Sequence, residues 1–276
     1  MAFKSSILVP TDFSGKSEIA IRYACEIAAC TGAEILFMNV IEPPYDFPSR
    51  IEEVLEKTKK KSAQRLEALI NDLHSVEEFR FIKMKGKVEI GRVDQEILEA
   101  VRSKKHDLIA VGLGGEHDLK KALYGSITNN LLLESPVPVF AISKRIDFRS
   151  PTQLLFATDL RDRDIKPIHK MSGFAKDLGV KLKIIHIIDN AKETQEQIEQ
   201  FKSKIRSKLD DESIEIELFE APSFLEGITK FVNGDKRTIL VTTRYKKSFL
   251  EWLITKSTAR VLAQIAEVPL LLIPTD

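Results

Sequence analysis

The chain repeats itself. ILVPTDFS at 7–14 returns as LLFATDLR at 154–161, and AEILFMNVIE at 33–42 returns as VKLKIIHIID at 180–189. HDLIAVGL at 106–113 returns as KRTILVTT at 236–243, and SPVPVFAI at 135–142 returns as AEVPLLLI at 266–273. The order is the same and the spacings nearly match. The second copy is shorter, chiefly where it corresponds to 43–90. Self-similarity of this kind means that each copy is one structural unit. Two homologous halves follow, over 1–146 and 150–276, joined at the polar stretch RIDFRSP, residues 145–151.

Within each half, strand and helix signals alternate. Ser6–Pro10 is a short continuous apolar run, the mark of a strand buried on both faces. Ser14 or Ser17 can cap a helix that runs to Thr31 and stops at Gly32. Ala33–Ile41 is a second strand, Pro43-Pro44 opens a loop, and Ile51–Leu73 is a long amphipathic helix. Phe79–Met84 alternates in the period of a third strand. Val93–Ser103 is a helix, Asp107–Val111 a fourth strand, Ser126–Glu134 a helix and Val137–Ile142 a fifth strand. Apolar strands alternating with helices specify an α/β fold, here two tandem doubly wound domains with five-stranded parallel sheets. Such sheets bind ligands beyond the carboxyl ends of their strands, where the strand order reverses. That rule singles out Pro10-Thr11-Asp12 and the residues from Gly112 onward.

Composition narrows the function. The chain has 276 residues, 43% hydrophobic and 30% charged, with 42 Lys+Arg against 41 Asp+Glu. A net charge of +1 offers no electrostatic footprint for nucleic acid or a membrane surface. No apolar run approaches the roughly 18 residues of a membrane span. The start, MAFKSSILVPTD, turns polar too soon for a signal peptide, so a cytoplasmic location is expected. Cys25 and Cys30 lie too far apart on a helix to bridge and read as reduced packing residues.

The segment VGLGGEHDLKKALYGSI, residues 111–127, carries the chemistry. Backbone N–H groups hold a phosphate chain best where no Cβ blocks their approach, and glycine removes the Cβ. Gly112 and Gly115 let the loop after the fourth strand curl around phosphate oxygens. Gly125-Ser126 brings the N-terminus of the next helix, with its free N–H groups and dipole, to the same anion. On the glycines alone, a plain surface loop through Gly112, Gly114 and Gly115 is an equal alternative. Asp12, across the crevice, can accept from a ribose hydroxyl or an exocyclic amine, or can serve as a turn acceptor for the first helix. Val40, ending the second strand, either offers its backbone to a base edge or is plain core. Gly15-Lys16-Ser17 imitates a P-loop, but that motif needs glycine where Pro10 stands, and proline has no N–H to donate.

These residues resemble the universal stress protein family in its tandem two-domain form. In nucleotide-binding members the signature is Gly, two residues, Gly, nine residues, Gly, then Ser or Thr. Gly112, Gly115, Gly125 and Ser126 match it in full. ILVPTDFS resembles the family's first strand with its aspartate, FMNVIEP the second strand and SPVPVFAI the last. The resemblance covers the whole chain and implies the adenine nucleotide alpha hydrolase-like fold, its two domains related by pseudo-two-fold symmetry. It implies that Pro10, Thr11, Asp12 and Val40 hold the adenosine of ATP, and that Gly112, Gly115, Gly125, Ser126 and Ile127 hold ribose and phosphates. ADP and AMP stay open beside ATP, and Mg²⁺ is a companion of the phosphates. The final strands are expected to pair edge to edge, so that one chain mimics a dimer of single domains. Homodimerisation of the tandem chain is a further open assembly.

One departure in the first half is Glu116, where many members carry a basic residue. An acid beside a triphosphate repels it unless a metal ion intervenes. Lys120 and Lys121 either compensate or face water. The second half departs further. Asp159 stands opposite Asp12 and Ile187 opposite Val40, but Ala157 replaces Pro10, Thr242 falls opposite Gly112, and Lys256-Ser257 replace Gly125-Ser126. Side chains at the points of backbone approach predict a degenerate nucleotide site. Arg244, Lys246, Lys247 and Lys256 read as a solvated basic face rather than an anion site. Phe249, Trp252 and Leu253 read as domain packing rather than a partner surface. The leading function is an adenine-nucleotide sensor or regulator in a stress response. A scaffold with a vestigial site is the alternative, as is a slow ATP hydrolase using Glu116 and His117. His74, His106, His169 and His186 lack metal-ligand spacing.

Overall fold

The computed structural model describes residues 3, 5–43, 51–103, 106–113, 126–143, 146, 148–188, 195–209, 216–222, 224–232, 237–244 and 268–274. The first half runs β1 (Ser6–Pro10), α1 (Gly15–Thr31), β2 (Glu34–Ile41), α2 (Ile51–His74), β3 (Met84–Ile90), α3 (Val93–Ser103), β4 (Leu108–Leu113), α4 (Ser126–Glu134) and β5 (Val139–Ser143). The second half runs β6 (Gln153–Ala157), α5 (Asp162–Leu178), β7 (Lys181–Ile188), α6 (Gln195–Leu209), β8 (Ile216–Glu220), α7 (Phe224–Val232), β9 (Thr238–Arg244) and β10 (Leu270–Pro274).

The strands form one ten-stranded sheet in the order β3-β2-β1-β4-β5-β10-β9-β6-β7-β8. Each half uses the same order, read from opposite edges. Among the described residues all pairs are parallel except β5 with β10, which are antiparallel and join the halves through Ala141–Leu270 and Val139–Leu272. In the first half the order reverses between β1 and β4. Their carboxyl ends therefore open the crevice that such sheets use for ligands.

Alternation along the strands sends side chains to two apolar layers. One contains Ile7, Val9, Phe37, Phe140, Phe156 and Phe174, with α1 and α5 packed on it across both halves. Phe3 meets Phe174 edge to face at 4.7 Å, tying the first half to the second. The other layer contains Leu8, Met38, Val111, Leu132 and Leu240, under α3 and α4. The helices end as their residues dictate. Ser14 caps α1 by accepting from Lys16 N, and Gly32 closes it in the left-handed region at φ 74°. Gly179 does the same for α5 at φ 67°.

The third strand corrects the sequence reading. Phe79–Met84 is not a strand: Glu77–Phe79 is a single 3₁₀ turn, and the strand begins at Met84. Phe79 and Ile82, three residues apart, are both buried against the α1 layer while Phe81 is exposed, the spacing of a turn and not of a strand. The true strand, MKGKVEI, lies at the sheet edge, where charged residues guard against edge-to-edge pairing and erase the apolar run. Lys85 is spent on an ion pair with Glu34 at 3.0 Å. Among the described residues no helix is long and apolar enough to cross a membrane. Cys25 is buried and Cys30 exposed, both as free thiols.

Candidate functional site

The turn leaving β1 is held from several sides. Thr11 N donates to Met38 O at 2.9 Å, and Asn39 Nδ2 donates to Thr11 O at 2.7 Å. Thr11 Oγ1 accepts from Phe13 N at 3.0 Å and donates to Ser17 Oγ at 3.0 Å. This lattice forces Phe13 to φ 58°. The left-handed region costs a non-glycine residue about 1 kcal/mol, which the surrounding hydrogen bonds offset. Pro10, half-buried, ends β1 opposite Met38. Asp12 is exposed and points one oxygen at the helix start. Its Oδ1 accepts from Ser14 N at 3.0 Å and Ser14 Oγ at 2.5 Å, with Ser17 Oγ at 3.3 Å. Oδ2 accepts none of these bonds. Partial burial pushes the Asp12 carboxyl up, but the bonds from Ser14 and Ser17 outweigh it and hold the group below its ordinary value.

Gly112 lies inside β4 rather than in the loop beyond it. A Cβ added there would stand 1.8 Å from Lys16 O, so the absent side chain makes room for the first turn of α1. The glycine is thus required by strand–helix packing, which its place in the glycine spacing does not reveal. Val40 and Ile127 are partly buried on the layer beneath α3 and α4. Ser126 is the first residue of α4, where the leading backbone N–H groups have no partner within the helix. Sequence reading missed what fixes α4. Asp94, 4% exposed, accepts Arg92 Nε at 2.7 Å and Asn130 Nδ2 at 2.6 Å. These bonds, Arg92 foremost, hold its carboxyl well below the carboxylate range. No local pattern announces Asn130 as the partner of a residue 36 positions earlier.

Gly114, Gly115, Glu116, His117, Lys120, Lys121 and Gly125 lie outside the described residues, as do Lys246, Lys247, Phe249, Trp252, Leu253, Lys256 and Ser257.

The second half repeats the turn and fills it differently. Thr158 N donates to Ile185 O at 2.9 Å, Leu160 N to Thr158 Oγ1 at 3.0 Å, and Leu160 sits at φ 57°. His186 Nδ1 lies 2.9 Å from Thr158 O, the place Asn39 takes in the first half. At Ser17's position stands Asp164, fully buried. It accepts Thr158 Oγ1 at 2.7 Å and Thr243 Oγ1 at 3.0 Å. Burial pushes its carboxyl up to about 6, helped by the charge of Asp159. The strand register corrects the pairing of the halves. Ile7 stands beside Leu108 and Leu154 beside Ile239, so Gly112 corresponds to Thr243, not Thr242. Arg244 is not part of a solvated basic face. Partly buried, it donates to Leu132 O and Ser135 O at 3.3 and 2.9 Å, reaching the C-terminal end of α4 in the other half.

A doubly wound sheet with its crevice at the β1–β4 reversal places the first half among the ligand-binding α/β folds. Residues 5–143 match the model of the Universal stress protein family, and the chain belongs to that family. It is 24% identical over 153 residues to the universal stress protein MJ0577 of Methanocaldococcus jannaschii, covering 50% of this chain and 94% of that protein. It is 30% identical over 141 residues to the universal stress protein MJ0531 of the same organism, covering 50% of this chain and 81% of that one. In structure it is similar to a universal stress protein from Archaeoglobus fulgidus, with a TM-score of 0.73 at 20% identity, covering 98% of this chain and 96% of that one.

Proposed function

We propose that the first half binds an adenine nucleotide, ATP in the leading case, and that its occupancy regulates the protein in a stress response. The observation that carries this reading is the run Gly112, Gly115, Gly125, Ser126 strung between the end of β4 and the start of α4, at the sheet's reversal point. Three features of the described residues fit such a ligand. Asp12 Oδ2 is left over by the turn that uses Oδ1, so it can accept from a ribose hydroxyl or an adenine amine. Strands β4 and β5 are parallel, so the crossover through α4 runs back along them and brings its N-terminus to their carboxyl ends, and a helix N-terminus favours phosphate. Val40 and Ile127 add apolar surface on one layer, suited to the face of a base. Pro10 and Thr11 form the rim of the first strand, and Gly115 and Gly125 supply bare backbone. Mg²⁺ accompanies the phosphates in this reading and offsets Glu116.

The second half does not share the function. Its equivalent position carries Thr243 bonded to a buried carboxylate, where the first half has a glycine. One nucleotide per chain is the expected stoichiometry. The check is to purify the protein, denature it and identify the released small molecule by mass spectrometry, followed by calorimetric titration with ATP, ADP and AMP. Gly125→Asp places a negative side chain at the phosphate end. It should weaken ATP binding at least about 100-fold, on the order of 3 kcal/mol, with an unchanged melting curve in the absence of nucleotide. Unaltered affinity in that variant, or a wild-type protein that ignores all three nucleotides, refutes the reading.

A further inference from the structure

A second concave site lies on the opposite layer of the sheet from Val40 and Ile127. It runs between α1, α2 and the 3₁₀ turn at Glu77–Phe79, with a volume of about 540 Å³. That size is within the roughly 300–1,000 Å³ of small-molecule sites. Its apolar wall is Phe13, Ile21, Leu69, Leu73, Val76 and Phe79.

The charge around this wall is one-sided. Glu18, Glu26, Asp72 and Glu78 line the groove, against Arg22 alone. Glu18, Arg22 and Glu26 recur at every fourth residue of α1 and so share one helix face. Among the described residues none of the four carboxylates forms an ion pair within 4.0 Å. The Arg22 guanidinium is stacked on Phe148, 4.4 Å from the ring centre. Arg65 covers the Phe13 ring at 4.1 Å. Burial pushes the Glu26 carboxyl up, Arg22 pulls it down, and the nearby charge of Glu78 pushes it up further. Four acids against Arg22 in the lining, beside an apolar wall and with both Arg22 and Arg65 stacked on rings, are complementary to positive charge carried on a hydrophobic body.

We propose that this groove binds a small organic cation with an apolar body, an arylalkyl- or alkylammonium, its ring or chain against Ile21, Leu69 and Leu73 and its ammonium among Glu26, Asp72 and Glu78. The groove shares Thr11 with the proposed nucleotide site, but Ile21 and Phe79 in its wall belong to the opposite layer of the sheet from Val40 and Ile127, so the proposal stands whether or not that crevice is filled.

The test compares three ligands of one shape on the full chain by calorimetry and by ¹³C-methyl NMR: phenylbutylammonium, phenylbutanol and phenylbutyrate. The ammonium should bind at least about tenfold tighter than the alcohol, and the carboxylate should not bind. Methyl shifts should concentrate at Ile21, Leu69 and Leu73. The surface variant Glu26→Gln/Glu78→Gln should remove the ammonium's advantage and leave the alcohol's affinity unchanged. Leu69→Trp, which fills the groove, should weaken both. Equal affinity for ammonium and alcohol, an advantage that survives the double glutamine variant, shifts located elsewhere, or no binding to the folded wild type would each overturn the proposal.

Discussion

The turns at Thr11–Ser17 and Thr158–Asp164 are the same device put to two uses. In both, a threonine hydroxyl accepts the N–H two residues on, the next strand's carbonyl receives the threonine N–H, and a bulky residue is held near φ 57–58°. The difference lies in what faces that turn. The first half places a glycine against the start of its helix and leaves Asp12 exposed. The second half places Thr243 there and buries Asp164 beneath it. A backbone scaffold can therefore be kept while the side chains that face it are rewritten, because scaffold bonds run through main chain and one hydroxyl.

Substitutions at equivalent positions sharpen this contrast. The largest effect is expected from Gly112→Ala. Its Cβ would meet Lys16 O at 1.8 Å, and backbone cannot swing aside as a side chain does. Overpacking of that kind costs about 3 kcal/mol, read as a lowered urea midpoint. The corresponding Thr243→Ala should cost about 1–2 kcal/mol, from the hydrogen bond it withdraws from buried Asp164. Equal costs at the two positions would erase the distinction drawn between them.

The next effect is a pH dependence confined to the second half. Burial pushes the Asp164 carboxyl up to about 6 in the fold, above the roughly 3.9 of an unperturbed aspartate. Between those values the folded state holds the extra proton, so stability falls as pH rises through the window and is lowest above it. Asp164→Asn should abolish that slope. Denaturation midpoints of both proteins across the window check it, and parallel curves would show the carboxylate to be uncharged or compensated throughout.

The smallest effect separates the two exposed aspartates. Asp12→Ala removes the acceptor for Ser14 at the start of α1 and should cost about 1 kcal/mol. Because the folded Asp12 carboxyl is held low, its contribution is present above pH 3.8 and is lost as pH falls below it. Asp159 instead pairs with Arg163 at a half-exposed site, and Asp159→Ala should cost at most about 0.5 kcal/mol, screened by salt. Thermal melts at low and high salt distinguish them.

Much of the fold was legible because apolar periodicity reports burial directly. Nearly every element of the first half falls where the pattern placed it, within a residue or two at the ends. The exception, β3, is an edge strand, and edges carry charge that hides the pattern. The candidate site was legible only in part. Its glycines and Asp12 stand out in the chain, but Ser17, Asn39 and Asn130 are ordinary polar residues until the fold supplies their partners.

Local order therefore lies in the residues themselves: two copies, their strands and helices, and the glycine spacing, since each depends on neighbours a few positions away. Pairings over long separations were settled by packing alone. These are Gly112 against Lys16, Thr243 against Asp164, Arg244 against the end of α4, and the one-residue register that matches Gly112 to Thr243. Steric exclusion and hydrogen-bond geometry act between atoms that meet only once the sheet has formed.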